Sequence, residues 1–247
     1  MATIDWDQYD AALFDLDGVV TPTAEVHMRA WSAMFNDYLT SVGGQSPYTD
    51  DDYFAYVDGK PRYDGVRTFL QARGIDLLEG EPSDPPEAET VCGLGNRKND
   101  YFNRVLDEDG VEAYPGSKRL LDALRERGVP MAIVSSSRNA PAVLEAAGVT
   151  DYFSTVMHGG VAAERQLAGK PAPDTFLAAA EDLGATAARS VVLEDAISGV
   201  RAGAAGRFGL VVGVDRGAGA EALTEAGAGV VVTDLAQLLP DGGTEQR

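Results

Sequence analysis

Six short apolar runs, each closed by polar or turn residues, restrict the fold of this chain more than any other feature. They span residues 11–14, 129–134, 155–157, 190–193, 208–214 and 229–232. Most are continuous rather than alternating, the pattern of parallel strands covered on both faces. Amphipathic stretches lie between them, such as "GSKRLLDALRERG" (116–128) and "DTFLAAAEDLG" (174–184). Each ends in glycine, a common helix stop. Alternating strand and helix predicts a doubly wound, Rossmann-like α/β core with a mainly parallel sheet.

The alternation has one large gap. After Asp17 the next strand begins near residue 129, and the segment between reads as mostly helical. It holds "AEVHMRAWSAMFNDYL", "YDGVRTFLQARG" and "AETVCGLGNRKNDYFNRVLDEDG", interrupted by the breaker-rich "EGEPSDPP" (79–86). The expected organisation is a core of residues 1–22 and 112–247, with a helical module, 23–111, inserted after the first strand. About 90 residues suffices for such a module. Ligands in open α/β sheets bind at the carboxyl ends of strands, so an insertion there is placed to act as a lid.

Composition narrows the classes of partner. Apolar residues make up 45% and charged residues 24%, which is globular composition. The net charge of −19 opposes nucleic acid and anionic membrane, and a phosphorylated ligand would need local cations. A single cysteine, Cys92, excludes an internal disulfide and reads as helix filler. The acidic start "MATIDWDQYD" lacks the basic and apolar stretches of a signal peptide, and no run reaches membrane-spanning length. The expectation is a cytoplasmic monomer.

Polar groups of matched kinds close several strands. The first ends in Asp15 and Asp17, the second in Ser135, the fourth in Glu194 and Asp195; "GKPAPD" places Lys170 just before a helix near Asp174. Taken singly, each is ordinary turn or cap chemistry. Taken together, crowded carboxylates repel unless a cation joins them, and hard oxygen donors with open positions suit magnesium. A carboxylate can also attack phosphorus and form an aspartyl-phosphate. Magnesium, Lys170 and the Ser135 hydroxyl would then neutralise the transferring oxygens, while the second carboxylate moves protons.

"FDLDGVVT", "VSSSRN", "GKPAPD" and "VLEDAISGV" resemble the four motifs of the haloacid dehalogenase superfamily, most closely its β-phosphoglucomutase-like branch. The likeness continues through "AEVHMRAW" (24–31), "NRKND" (96–100), "YPG" (114–116) and "SSRNAP" (136–141). The resemblance implies that Asp15 is the phosphorylated nucleophile and Asp17 the general acid/base. It implies magnesium held by Asp15, the Asp17 carbonyl and Asp195, with Glu194 as an acidic partner directly or through water. Ser135 and Lys170 would hold the phosphoryl group, with Ser136, Arg138 and Asn139 beside it. In the inserted module, His27, Gly59, Arg62 and Lys98 match substrate-contacting positions. Two positions depart from the branch: Asp58 stands where its mutases carry lysine, and Pro22 where they usually carry aspartate. The implied activity converts β-glucose 1-phosphate to glucose 6-phosphate through the 1,6-bisphosphate. The alternative is a phosphatase of small sugar or polyol phosphates.

Three further features read as structural. His158 in "MHGG" is expected in a loop, Trp31, Met34 and Phe35 in a helix core, and "SGVRAGAAG" (198–206) in a helix packed closely on the sheet.

Overall fold

The computed structural model describes residues 4–239. Residues 1–3 of the N-terminal stretch read for targeting lie outside them. The described chain forms two compact units. One holds the described residues before Thr23 and after Gly110; the other is Thr23–Gly110.

The first unit is built on six parallel strands. These are β1 (Ala11–Phe14), β2 (Met131–Val134), β3 (Thr155–Met157), β4 (Ser190–Glu194), β5 (Leu210–Val214) and β6 (Val230–Val232). Their order in the sheet is β3-β2-β1-β4-β5-β6. Chain order reverses direction at β1, the topological switch point where α/β sheets open a crevice. All four residues of β1 and of β2 are buried, as continuous apolar runs in a two-sided sheet require. Val129 and Pro130 precede the β2 ladder and Phe208 and Gly209 precede β5, so these two runs are longer than their strands.

Helices of the second unit are α1 (Thr23–Val42), a single turn α2 (Asp50–Asp52), α3 (Arg62–Ala72) and α4 (Val91–Asp109). The first unit continues with α5 (Pro115–Glu126), α6 (Ala140–Ala146), α7 (Gly159–Glu164), α8 (Asp174–Asp182), α9 (Ile197–Ala205) and α10 (Ala220–Ala226). One sheet face packs Leu13, Val134 and Val192 against Phe176 of α8, Val200 of α9 and Leu223 of α10. On strands, alternate residues face opposite ways; Phe14 thus meets Phe153 edge-on at 6.0 Å. The glycine-rich segment forms α9. A Cβ on Gly203 would come within 3.0 Å of Val211, so glycine there lets helix and sheet approach closely.

The Thr23–Gly110 unit has its own core. Trp31, Met34 and Phe35 of α1 pack with Tyr48, Val66, Phe69 and Leu94. The Phe35 and Phe69 rings lie 4.2 Å apart. Sequence periodicity missed one element, α2 and the π-helical turn Tyr53–Val57 that continues it. A reciprocal cap starts it: Asp52 N–H donates to Thr49 Oγ1 (3.3 Å) and Thr49 N–H to Asp52 Oδ2 (2.9 Å). That T-x-x-D spacing was the available signal. The acidic, proline-rich stretch forms coil strapped to α3 and α4. Asn96 Nδ2 donates to the Pro82 and Asp84 carbonyls (3.1 and 2.8 Å), and Arg67 pairs with Glu79 at 2.6 Å.

Cys92 is buried on α4. His158 caps the start of α7, its Nδ1 accepting from Gly160 N–H at 3.1 Å. Burial holds its pKa below the ordinary 6.5; Arg138 pushes the same way and Glu164 opposes. A protonated Nδ1 cannot accept that bond. Because the folded state resists protonation, stability is complete above the unfolded pKa and declines as pH falls below it. Thermal melts are therefore expected to show a lower Tm at pH 5 than at pH 7.5. The His158→Asn variant, which keeps a capping oxygen, should lose less over that interval.

Among the described residues, no helix is long and apolar enough to cross a membrane.

Candidate active site

Register brings the strand-end groups together. Phe14 of β1 pairs with Ile133 of β2 and Leu193 of β4, so Asp15 stands level with Val134 and Glu194. The Asp15 N–H donates to the Leu193 carbonyl (2.9 Å), extending the ladder one residue past the strand and fixing the direction of the carboxylate.

Lys170 joins the three strand ends. It lies between α7 and α8, buried at 4% exposure. Its Nζ donates to Asp15 Oδ1 (2.5 Å), Glu194 Oε1 (2.5 Å) and the Val134 carbonyl (3.0 Å). All three ammonium donors thus have acceptors, as a buried charge demands. Glu194 is wholly buried and its other oxygen, Oε2, accepts from Ala196 N–H at 2.7 Å. A Cβ on Gly199 would sit 1.7 Å from Glu194 Oε1, so only glycine in α9 leaves room for this carboxylate.

The charges are strongly coupled. Burial pushes the Asp15 carboxyl well above the usual carboxylate range; Lys170 opposes this, and Glu194 and Asp17 reinforce it. Burial pulls Lys170 down, but Asp15 and Glu194 outweigh it and hold the ammonium above its ordinary value. Lys170 is therefore held as a cation at neutral pH, and its charge partly offsets the burial that disfavours the Asp15 carboxylate.

The turn after β1 carries the second acid. Ser135 Oγ lies 3.5 Å from Asp17 Oδ2, a long contact, and accepts from Ser137 N–H at 3.1 Å. Ser137 Oγ accepts in turn from Asn139 N–H at 3.1 Å. Ser136, Arg138 and Asn139 thus lie on one tight turn after β2, with Arg138 exposed. Asp195 reaches the other side of the β1 turn. A Cβ on Gly18 would fall 1.9 Å from Asp195 Oδ2, and Gly18 adopts φ +86°, which glycine tolerates. Among the described residues, no three His, Cys, Asp or Glu side chains form a group that could hold a metal. The acidic side chains here are Asp15, Asp17, Glu194 and Asp195, of which Asp15 and Glu194 are bound to Lys170.

The substrate-contacting positions expected in the second unit form their own arrangement. The Lys98 ammonium meets His27 Nδ1 and lies 5.0 Å over the Trp31 ring. His27 stacks on Phe102 at 4.1 Å. Arg62 Nη2 donates to Asn99 Oδ1 at 2.6 Å, and Nη1 reaches Asn96 Oδ1 at 3.4 Å. Gly59 follows the π-helical turn with φ +68°.

Sequence reading missed three contributors: Ser137, Gly199 and Arg216. The last donates from Nε to the Gly18 carbonyl at 2.8 Å. Arg216 follows the carboxyl end of β5, so extending the strand-end search to that strand would have found it.

A buried lysine joining two strand-end carboxylates at a switch point is chemistry suited to anionic phosphate, and comparison with known proteins agrees. The haloacid dehalogenase-like hydrolase family matches residues 9–207. A β-phosphoglucomutase of Mycobacterium bovis is 50% identical over 238 residues, covering 93% of this chain and 91% of its own. The crystal structure of a β-phosphoglucomutase from Clostridium difficile superposes with a TM-score of 0.75 at 26% identity, covering 94% of each chain. A fructose-1-phosphate phosphatase of Escherichia coli is 28% identical over 201 residues, covering 80% of this chain and 92% of its own. The chain belongs to the haloacid dehalogenase-like hydrolase family and, within it, stands with the β-phosphoglucomutases.

Proposed function

We propose that the protein is a magnesium-dependent β-phosphoglucomutase that moves a phosphoryl group by way of Asp15. The observation that carries this reading is the Asp15–Lys170–Glu194 triad: a potential nucleophile held beside a fixed cation at the open end of the sheet. Asp15 attacks phosphorus, and the P–O bond to the sugar breaks as the Asp15–P bond forms. Asp17 gives its proton to the departing sugar oxygen. In the second half, Asp17 takes the proton of a sugar hydroxyl, which attacks phosphorus and releases the Asp15 carboxylate. The Lys170 charge neutralises the transferring oxygens, Ser135 donates to them, and Asn139 supports them. Ser136 and Arg138 are assigned to the same phosphoryl-binding turn.

Two carboxylates and one carbonyl form the sparse oxygen set that magnesium uses, leaving its other positions for waters and substrate phosphate. Asp15, Asp195 and the Asp17 carbonyl would hold it, and the ion would supply charge neutralisation. Glu194 has its two oxygens engaged with Lys170 and Ala196, which favours a role in placing Lys170 over one in metal ligation. In the second unit we assign Arg62 to the distal phosphate of the bisphosphate intermediate, and Lys98, His27 and Gly59 to the sugar. A small phosphorylated sugar is the partner this reading requires.

The phosphatase relative of Escherichia coli favours one second reading, hydrolysis of a small sugar phosphate, in which water replaces the sugar hydroxyl in the second half. Purified protein given β-glucose 1-phosphate, magnesium and a trace of the 1,6-bisphosphate separates the two. Glucose 6-phosphate without stoichiometric phosphate release is expected; free phosphate as the main product would reverse the assignment.

A further inference from the structure

We propose that Arg216 is a positioning residue of this site, fixing the turn through which Asp17 presents its main-chain carbonyl. The inference rests on the reading of that carbonyl as a magnesium ligand.

The β1 turn passes through its most permissive residue at the point where precision is needed. Gly18 has φ +86° and the Asp195 carboxylate packed against its α-carbon. Glycine costs little in this conformation but also restrains little. Hydrogen bonds at both of its ends supply the restraint. Its N–H donates to the Thr21 carbonyl at 2.8 Å. In a planar trans peptide the Asp17 C=O points opposite to that N–H, so this bond sets the carbonyl's direction. Its own C=O accepts from Arg216 Nε at 2.8 Å, which holds the following peptide.

Arg216 is itself anchored twice more. Nη1 donates to the Thr233 carbonyl at 2.9 Å, and the guanidinium lies 4.1 Å over the Tyr114 ring. Tyr114 N–H donates to the Val20 carbonyl (2.9 Å) and Ser117 Oγ to the Val19 carbonyl (2.6 Å). Three consecutive carbonyls of the turn, Gly18, Val19 and Val20, are therefore each held by a partner distant in sequence. The planar guanidinium presents two of its donors in a fixed fork to these carbonyls while its face stacks on the ring, an arrangement that the compact ammonium of lysine reproduces less well.

The test is magnesium binding by titration calorimetry, beside kcat and KM, for the wild type, Arg216→Met, Arg216→Lys and Asp195→Asn. Thermal melts report folding, and Arg216→Lys decides the outcome should the methionine variant not fold. Arg216→Met is expected to weaken magnesium about tenfold, as loss of a ligand's supporting partner does. It should lower kcat by about ten- to a hundredfold with KM for the sugar phosphate little changed. Arg216→Lys should fall between. Wild-type metal affinity and kcat in the Arg216 variants, with binding lost in Asp195→Asn, would overturn the positioning role alone. Wild-type affinity in Asp195→Asn as well would overturn the metal reading beneath it.

Discussion

The Asp15→Asn protein is expected to fold normally and to lose phosphoryl transfer by about 10⁴-fold or more, the scale of removing a covalent nucleophile. An amide has no anionic oxygen to attack phosphorus, yet it matches the carboxylate in volume. Its oxygen can still accept from Lys170, whose bonds to Glu194 and the Val134 carbonyl remain. The charge count also favours folding. The native triad holds two carboxylates against one ammonium, and the variant holds one of each. Burial already pushes the Asp15 carboxyl well above the usual range, so its replacement removes a group whose charge is costly to bury. Turnover assays and thermal melts on the same preparation check both halves. Residual activity within about tenfold of the wild type, far above what nucleophile loss permits, would remove Asp15 from its assigned role.

Lys170→Met should be the more damaging change for the whole protein. Removing one partner of a buried ion pair costs about 3–5 kcal/mol, because the remaining charge stays desolvated. Here two carboxylates are left, Asp15 and Glu194, both previously bound to one nitrogen. Without the ammonium, the burial that already raises the Asp15 carboxyl is unopposed, and its charged form is disfavoured further. A carboxylate less favoured in its charged form is a poorer nucleophile, and the cation beside the transferring oxygens is lost as well. The rate should fall by about 10³-fold. Stability should also acquire a distinctive pH dependence. A carboxyl with a folded pKa above its unfolded value binds more protons when folded, so stability is present at low pH and lost as pH rises through the folded pKa. In metal-free buffer, the Tm gap between wild type and variant should be narrower at pH 5 than at pH 8. A gap that widens toward pH 5 would show that Lys170 does not compensate these carboxylates.

Much of this was legible in the chain. The run at 11–14 announced its strand because a strand buried on both faces must be apolar throughout, and 190–193 is apolar after its first residue. Asp15, Ser135 and Glu194 stood out because each terminates such a run. Other features carried little signal in their periodicity. The reciprocal cap at Thr49 begins a helical turn too short for periodicity to register. Glu194 read as one more acidic strand end, and its engagement with Lys170 and Ala196 emerged only with the loop and helix start that surround it.

The sequence by itself determined the strands, the helices between them and the kinds of polar group at the strand ends. Those follow from side-chain periodicity and from turn chemistry, which act over a few residues. Tertiary structure alone decided which groups meet. Lys170 reaches Asp15 across 155 positions and Arg216 reaches Gly18 across 198. Such contacts depend on strand order and register, and these are settled by the packing of the whole sheet rather than by any segment of it.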